Sequence, residues 1–199
     1  MSRYDGTLRT SQGQVIQFLY GEDGMDAVWI EKQNFESFTL KASDFERVYA
    51  LDTTEDKFGF DEIGLPFIES AIIEDCKNDP TVQMSLDEEL EQLQEDRRNL
   101  RVIMANREAG AEDSPSSYAP GNVKRVIRNA RQQFKIGKNN VSDLHPRDVL
   151  QMVQDMLLKL TVVDGSDGLS VEAQANATLL YSILIRGALS VKRVLKEYR

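Results

Sequence analysis

Residues 177–185 (ATLLYSILI) would show apolar groups around nearly the whole circumference of a helix. Such a helix has no polar face to give to water, so it must sit at the centre of something that covers it. The uncharged stretch containing it, residues 173–185, is 13 residues long. A membrane-spanning helix needs about 20, so the expected cover is protein and no membrane partner is predicted. Residues 1–20 lack the apolar run of a secretory signal. The single cysteine, Cys76, excludes an internal disulfide and a cysteine-based zinc site, and points to a reducing intracellular setting. The pattern still runs at Arg199 without a glycine cap, an ending expected of a longer chain cut short.

Patterning predicts an α+β fold, mainly α: an N-terminal β-hairpin followed by a helical domain of four to six helices. Residues 7–9 and 15–20 read as strands around a Ser11-Gln12-Gly13 turn. Both faces of the second strand are apolar, which predicts a place inside a sheet larger than a two-stranded hairpin; a hairpin covered by the chain's own helices is the alternative. Ser43 with Glu46 and Ser85 with Glu88 match the capping-box spacing. They predict a brief helix to about residue 49 and a clear one to about residue 105. The second carries Leu86, Leu90, Leu93, Leu100 and Ile103 as a stripe interrupted by Arg97. A further helix is possible over 67–76 within the ambiguous segment 51–81, and residues 106–121 read as a polar loop. Three helices follow: 123–136 with Asn122 as N-cap, one opening on Pro146, and one running from Ser170 towards Tyr198.

Charge is divided along the chain. The total is −9, but residues 1–100 hold 9 basic against 23 acidic side chains (−14), and residues 101–199 hold 15 against 10 (+5). Two readings stay open: a surface with two electrostatic faces, or halves that neutralise each other by packing.

Few residues suggest chemistry. Nucleotide-binding glycine motifs and a G-x-S-x-G elbow are absent. His145, the only histidine, precedes Pro146 and reads as a helix-entry residue. Cys76 lies among acids that raise a thiol pKa. Glu22, Asp23 and Asp26 lack the spacing of a calcium loop and read as a turn. The sharpest patch is basic: Lys124, Arg128, Arg131, Lys135 and Lys138 recur at spacings of 4, 3, 4 and 3, a stripe beside apolar Val123, Ile127, Ala130 and Phe134. It fits phosphates or an acidic protein face; the alternative is a solvated face pairing with the acidic helix 86–103.

Residues 3–27 (RYDGTLRTSQGQVIQFLYGEDGMDA) closely resemble the segment that leads into the foot domain in the largest subunit of eukaryotic DNA-directed RNA polymerase II. VIRNARQQFKI (126–136), SDLHP (142–146), EAQANATLL (172–180) and RVLKEYR (193–199) follow in the same order at similar spacing. Arg131 stands where the family usually has glutamine, and residues 50–82 and 106–119 match poorly.

The resemblance implies a cleft-region segment over residues 1–40 and a helical foot over 41–199. It implies a nuclear location, with other polymerase II subunits, Mediator and capping machinery as partners, and DNA or RNA met only through the parent complex. The parent nucleotidyltransferase uses magnesium at an aspartate triad elsewhere, so this segment is expected to carry no catalytic residue and no cofactor. A freestanding helical adaptor that binds protein or nucleic acid is the competing expectation.

Overall fold

The computed structural model describes residues 1–21, 28, 30–61, 64–105, 116–137 and 140–198. It is α+β and mainly helical. Among the described residues, strands β1 (Leu8–Arg9), β2 (Val15–Gln17) and β3 (Ile30–Asn34) lead into helices α1 (Glu36–Thr39), α2 (Ala42–Tyr49), α3 (Ser70–Asn78) and α4 (Pro80–Ala105). Strand β4 (Ser116–Pro120) precedes α5 (Val123–Gln133), α6 (Pro146–Leu158), α7 (Gly168–Ala188) and α8 (Val191–Lys196). Eight helices thus replace the four to six expected: α1 is an extra single turn, and the last predicted helix is two.

β1 and β2 form the predicted hairpin, with Leu8 opposite Gln17 and Arg9 opposite Val15. Among the described residues this sheet has only those two strands, and Ile16 and Phe18 are exposed. The second sheet was not anticipated. β4 lies in the segment read as a loop, yet it pairs antiparallel with β3 from Ile30↔Pro120 to Asn34↔Ser116. Its short polar sequence carries no alternating pattern of its own, so the pairing is decided by a distant strand.

α4 is the spine. Its 26 residues span about 39 Å at 1.5 Å per residue. Val82 and Leu86 enter the largest apolar cluster, with Phe58, Phe67, Ile68, Ile73, Cys76, Val149, Val191 and Leu195. Leu93 meets Phe45 and Tyr49, and Leu100 meets Phe35 and Ile183. Ile103, at the end of the predicted stripe, is exposed, whereas Arg97 within it is buried. Near the first cluster Gly59 has φ +84°, and a Cβ there would lie 2.3 Å from Ile73 Cδ1. Phe58, Phe67, Ile68, Ile73 and Cys76 of the ambiguous 51–81 segment thus belong to the core.

Helix starts differ from three of the predicted caps. α4 begins at Pro80, where Asp79 Oδ1 accepts from the Thr81 amide (2.9 Å) and hydroxyl (2.7 Å); Ser85 is interior, its hydroxyl donating to the Thr81 carbonyl. Proline at a first helical position needs no N–H partner, and the preceding aspartate outcompetes Ser85. Asp167, not Ser170, caps α7, accepting from the Ser170 amide and hydroxyl. α2 starts one residue before Ser43 without a side-chain cap. α3 begins at Ser70, three residues later than the possible start at 67.

The C-terminal half of α7 is buried through Ser182, Ile183, Ile185 and Ala188, while Leu179 is exposed; the apolar run is central on one side only. Arg186 on α7 reaches Asp96 on α4 with two hydrogen bonds (2.6 and 2.7 Å). The helix then stops at Ala188 because the chain supplies partners for both broken ends. Arg193 Nη1 donates to the Gly187 carbonyl and Tyr198 Oη to the Ala188 carbonyl. Glu89 Oε1 accepts the Val191 amide at the start of α8. No helix among the described residues is long and apolar enough to cross a membrane.

Leu100→Ala should destabilise the fold by about 2–5 kcal/mol, read by chemical denaturation, against under about 1 kcal/mol for the exposed Ile103→Ala. Burial pushes the Glu89 carboxyl up to about 7, despite the opposing Val191 amide. The folded state therefore binds the extra proton between about pH 4.5 and 7, and this group's contribution to stability falls as pH rises through that window. Glu89→Gln should remove that component of the slope in denaturation curves recorded from pH 5 to 8.

Candidate interaction surface

The basic helix is built from its first turn upward. Asn122 is its N-cap, as predicted, accepting from the Arg125 amide at 3.1 Å. β3 holds this end in place. Gln33, buried, donates to the Gly121 carbonyl (2.7 Å) and accepts from the Val123 amide (3.3 Å). Glu31 accepts from Asn122 Nδ2 (3.1 Å) and pairs with Arg125 (2.5 Å). Tyr181 Oη on α7 adds a bond to the Gly121 carbonyl.

Four of the five predicted cations lie among the described residues, and these four do not share one environment. Lys124 pairs with Glu36 of α1, not with the acidic α4, and Glu36 also takes Arg193 of α8 at 2.8 Å. Burial works to raise the Glu36 carboxyl, but the Lys124 hydrogen bond and the two cations hold it below the usual carboxylate range. Hydrogen bonds from Asn122 and Arg125 do the same for Glu31. Arg131 is half-buried. Arg128 and Lys135 are exposed and make no ion pair among the described residues. Lys138 lies outside the described residues, as do Glu22, Asp23 and Asp26.

The helix ends at Gln133, before the predicted 136, because Lys135 turns into left-handed backbone with φ +54°. The Ile136 amide then bonds to the Arg131 carbonyl (2.9 Å) and the Lys135 amide to that of Gln132 (3.3 Å), the paired pattern that closes a helix. Lys135 thus stands off the helical face and projects from its cap. Of the apolar neighbours, Val123, Ile127 and Ala130 are half-buried and Phe134 is exposed.

The two charge readings can now be separated. Arg186–Asp96, Arg193–Glu36, Lys124–Glu36, Arg125–Glu31 and Lys196–Asp61 each join the basic half to the acidic half. Much of the asymmetry is consumed internally, and Arg128 and Lys135 are what α5 and its cap leave facing outward. Glu31, Gln33 and Glu36 were missed by sequence reasoning. Their signal was the alternation of Glu31 and Gln33 on one face of a strand.

His145 is the N-cap of α6, with Nδ1 accepting the Arg147 amide at 3.2 Å. In the neutral ring the proton then sits on Nε2, 3.5 Å from Cys76 Sγ, so the imidazole cannot deprotonate the thiol there. Burial and the neighbouring Asp75 and Asp79 push that thiol up to about 11. Among the described residues no three His, Cys, Asp or Glu side chains are grouped to hold a metal ion.

A family model described as RNA polymerase Rpb1, domain 6, matches residues 25–199. The chain belongs to that family. It is a segment of the largest subunit of a DNA-directed RNA polymerase, so other polymerase subunits are its partners and nucleotidyl transfer is the activity of the complex. The match takes in both strands of the second sheet and all eight described helices, and the β1–β2 hairpin precedes it.

In this polymerase segment Gln33→Ala should cost about 1–3 kcal/mol by leaving buried backbone groups at the start of α5 unpaired. Amide hydrogen exchange should accelerate most at Val123 and the residues next to it.

Proposed function

We propose that this segment is the foot, with adjoining cleft strands, of the largest subunit of eukaryotic RNA polymerase II, and that it works by docking. In this reading residues 1–40 belong to the cleft region and 41–199 to the foot. Magnesium and nucleotide joining belong to other parts of the enzyme, which meets DNA and RNA in the nucleus. The resemblance of residues 3–27 to polymerase II supports the assignment to that enzyme.

One observation carries the docking reading. Lys135 occupies left-handed backbone, which costs a side-chain-bearing residue roughly 1–2 kcal/mol and at a helix end is usually given to glycine. Lys135 makes no ion pair among the described residues, and Arg128, about two turns back from it, also faces outward. On either side of Lys135, Phe134 and Ile136 are 70% and 40% exposed. Cations next to exposed apolar side chains suit an acidic, partly apolar protein face, and Mediator and the capping machinery are the proposed occupants.

Polymerase assembled with Arg128→Glu and Lys135→Glu should incorporate nucleotides on a non-specific template at the unaltered rate. Its retention on immobilised Mediator or capping enzyme should fall at least tenfold. Unchanged retention on both would overturn the assignment of this surface.

A further inference from the structure

A second basic site stands apart from α5 and was not singled out by the sequence. Gln94, Arg97, Arg98 and Arg101 of α4 follow the spacing i, i+3, i+4, i+7 and share one helix face. With Ala42, Phe45 and Glu46 of α2 they line a concavity of about 320 Å³.

Arg97 forms its buried wall. Its guanidinium carbon lies 5.0 Å from the centre of the Phe45 ring, and Nη2 donates to the Leu40 carbonyl. Arg97 is 8% exposed, and its Nε is buried with no acceptor among the described residues. The adjacent carboxylate of Asp96 is turned to Arg186 and Gln92 instead. Arg98 and Arg101 are exposed and make no ion pair among the described residues. Burial and the charge of Arg101 lower the Arg97 pKa, as expected of cations gathered without a counter-ion.

We propose that this concavity binds a phosphomonoester dianion carried on a protein, a phosphoserine or phosphothreonine flanked by basic residues. Three guanidinium groups against the single Glu46 carboxylate leave two positive charges, which a dianion balances. Arginine's planar fork suits phosphate oxygens, and stacking on Phe45 fixes one fork in advance. A nucleic-acid strand fits poorly. Asp87, Glu88, Glu91 and Glu95 are exposed on the ten residues of α4 before Arg97, and a polyanion laid along the helix would meet them. The same acids attract basic residues beside a phosphorylated side chain. This site rests on α2 and α4 and is independent of the docking surface on α5.

The test titrates the full chain with a lysine-flanked phosphoserine peptide, its unphosphorylated form, and single-stranded RNA, read by fluorescence anisotropy and by arginine Nε–Hε resonances. The phosphopeptide should bind at least tenfold tighter than the unphosphorylated peptide, shift the Arg97 resonance and be displaced by inorganic phosphate. Arg98→Ala with Arg101→Ala, both exposed, should abolish binding without changing the thermal melt. Arg128→Glu with Lys135→Glu should leave it intact, so that failure here and failure of the docking assignment are distinguishable. Equal affinity for both peptides, undiminished binding by the Arg98/Arg101 variant, or tighter binding to RNA would overturn the proposal.

Discussion

The fold depends on the register between its two long helices, and one ion pair sets that register. Asp96 is 2% exposed and takes two hydrogen bonds from Arg186, with Gln92 adding a third contact at 3.3 Å. Burying the two charges offsets much of their attraction, so the pair adds little net stability. What it supplies is specificity, since a displaced register would leave a carboxylate uncompensated in the interior, a penalty of about 3–5 kcal/mol. Leu100 meets Ile183 one turn beyond Asp96, and Glu89 reaches the α8 amide two turns before it. The core contacts and the break after α7 both depend on that alignment.

The same stretch of α4 shows two fates for neighbouring charges. Asp96 is matched inside the molecule, while Arg97, next in sequence, is buried against Phe45 and Leu40 with no carboxylate of its own. On α5 the division repeats: Lys124 and Arg125 are matched by Glu36 and Glu31, and Arg128 and Lys135 are not. Counting charges along the chain shows the imbalance but not which members are spent in folding.

What was legible in the sequence was local. Asn122 and Pro146 mark helix starts through backbone chemistry confined to a few residues, and both hold. Asp79 and Asp167 displaced the predicted serine caps because a carboxylate accepts amide hydrogens more strongly than a hydroxyl, a competition the spacing rule ignores. β4, the split between α7 and α8 and the counter-ions of α5 were not legible. Each depends on groups far away in the chain: β3 for the strand, Glu89, Arg193 and Tyr198 for the break, Glu31 and Glu36 for the cations. The basic stripe was legible as composition, but its geometry was not, because Lys135 leaves the helix in a conformation that propensity assigns to glycine.

The pairing of β3 with β4 has a consequence for how the chain is made. Gln33 and the Ala119 carbonyl it contacts are separated by 86 residues. At about 5–20 residues per second, a ribosome needs roughly 4–17 s to synthesise that interval. Throughout it the edge of β3 that β4 later covers lacks that partner, and an uncovered strand edge is a template for wrong pairing. α5 inherits the delay, because the glutamine that seats its first turn is in place long before the helix exists.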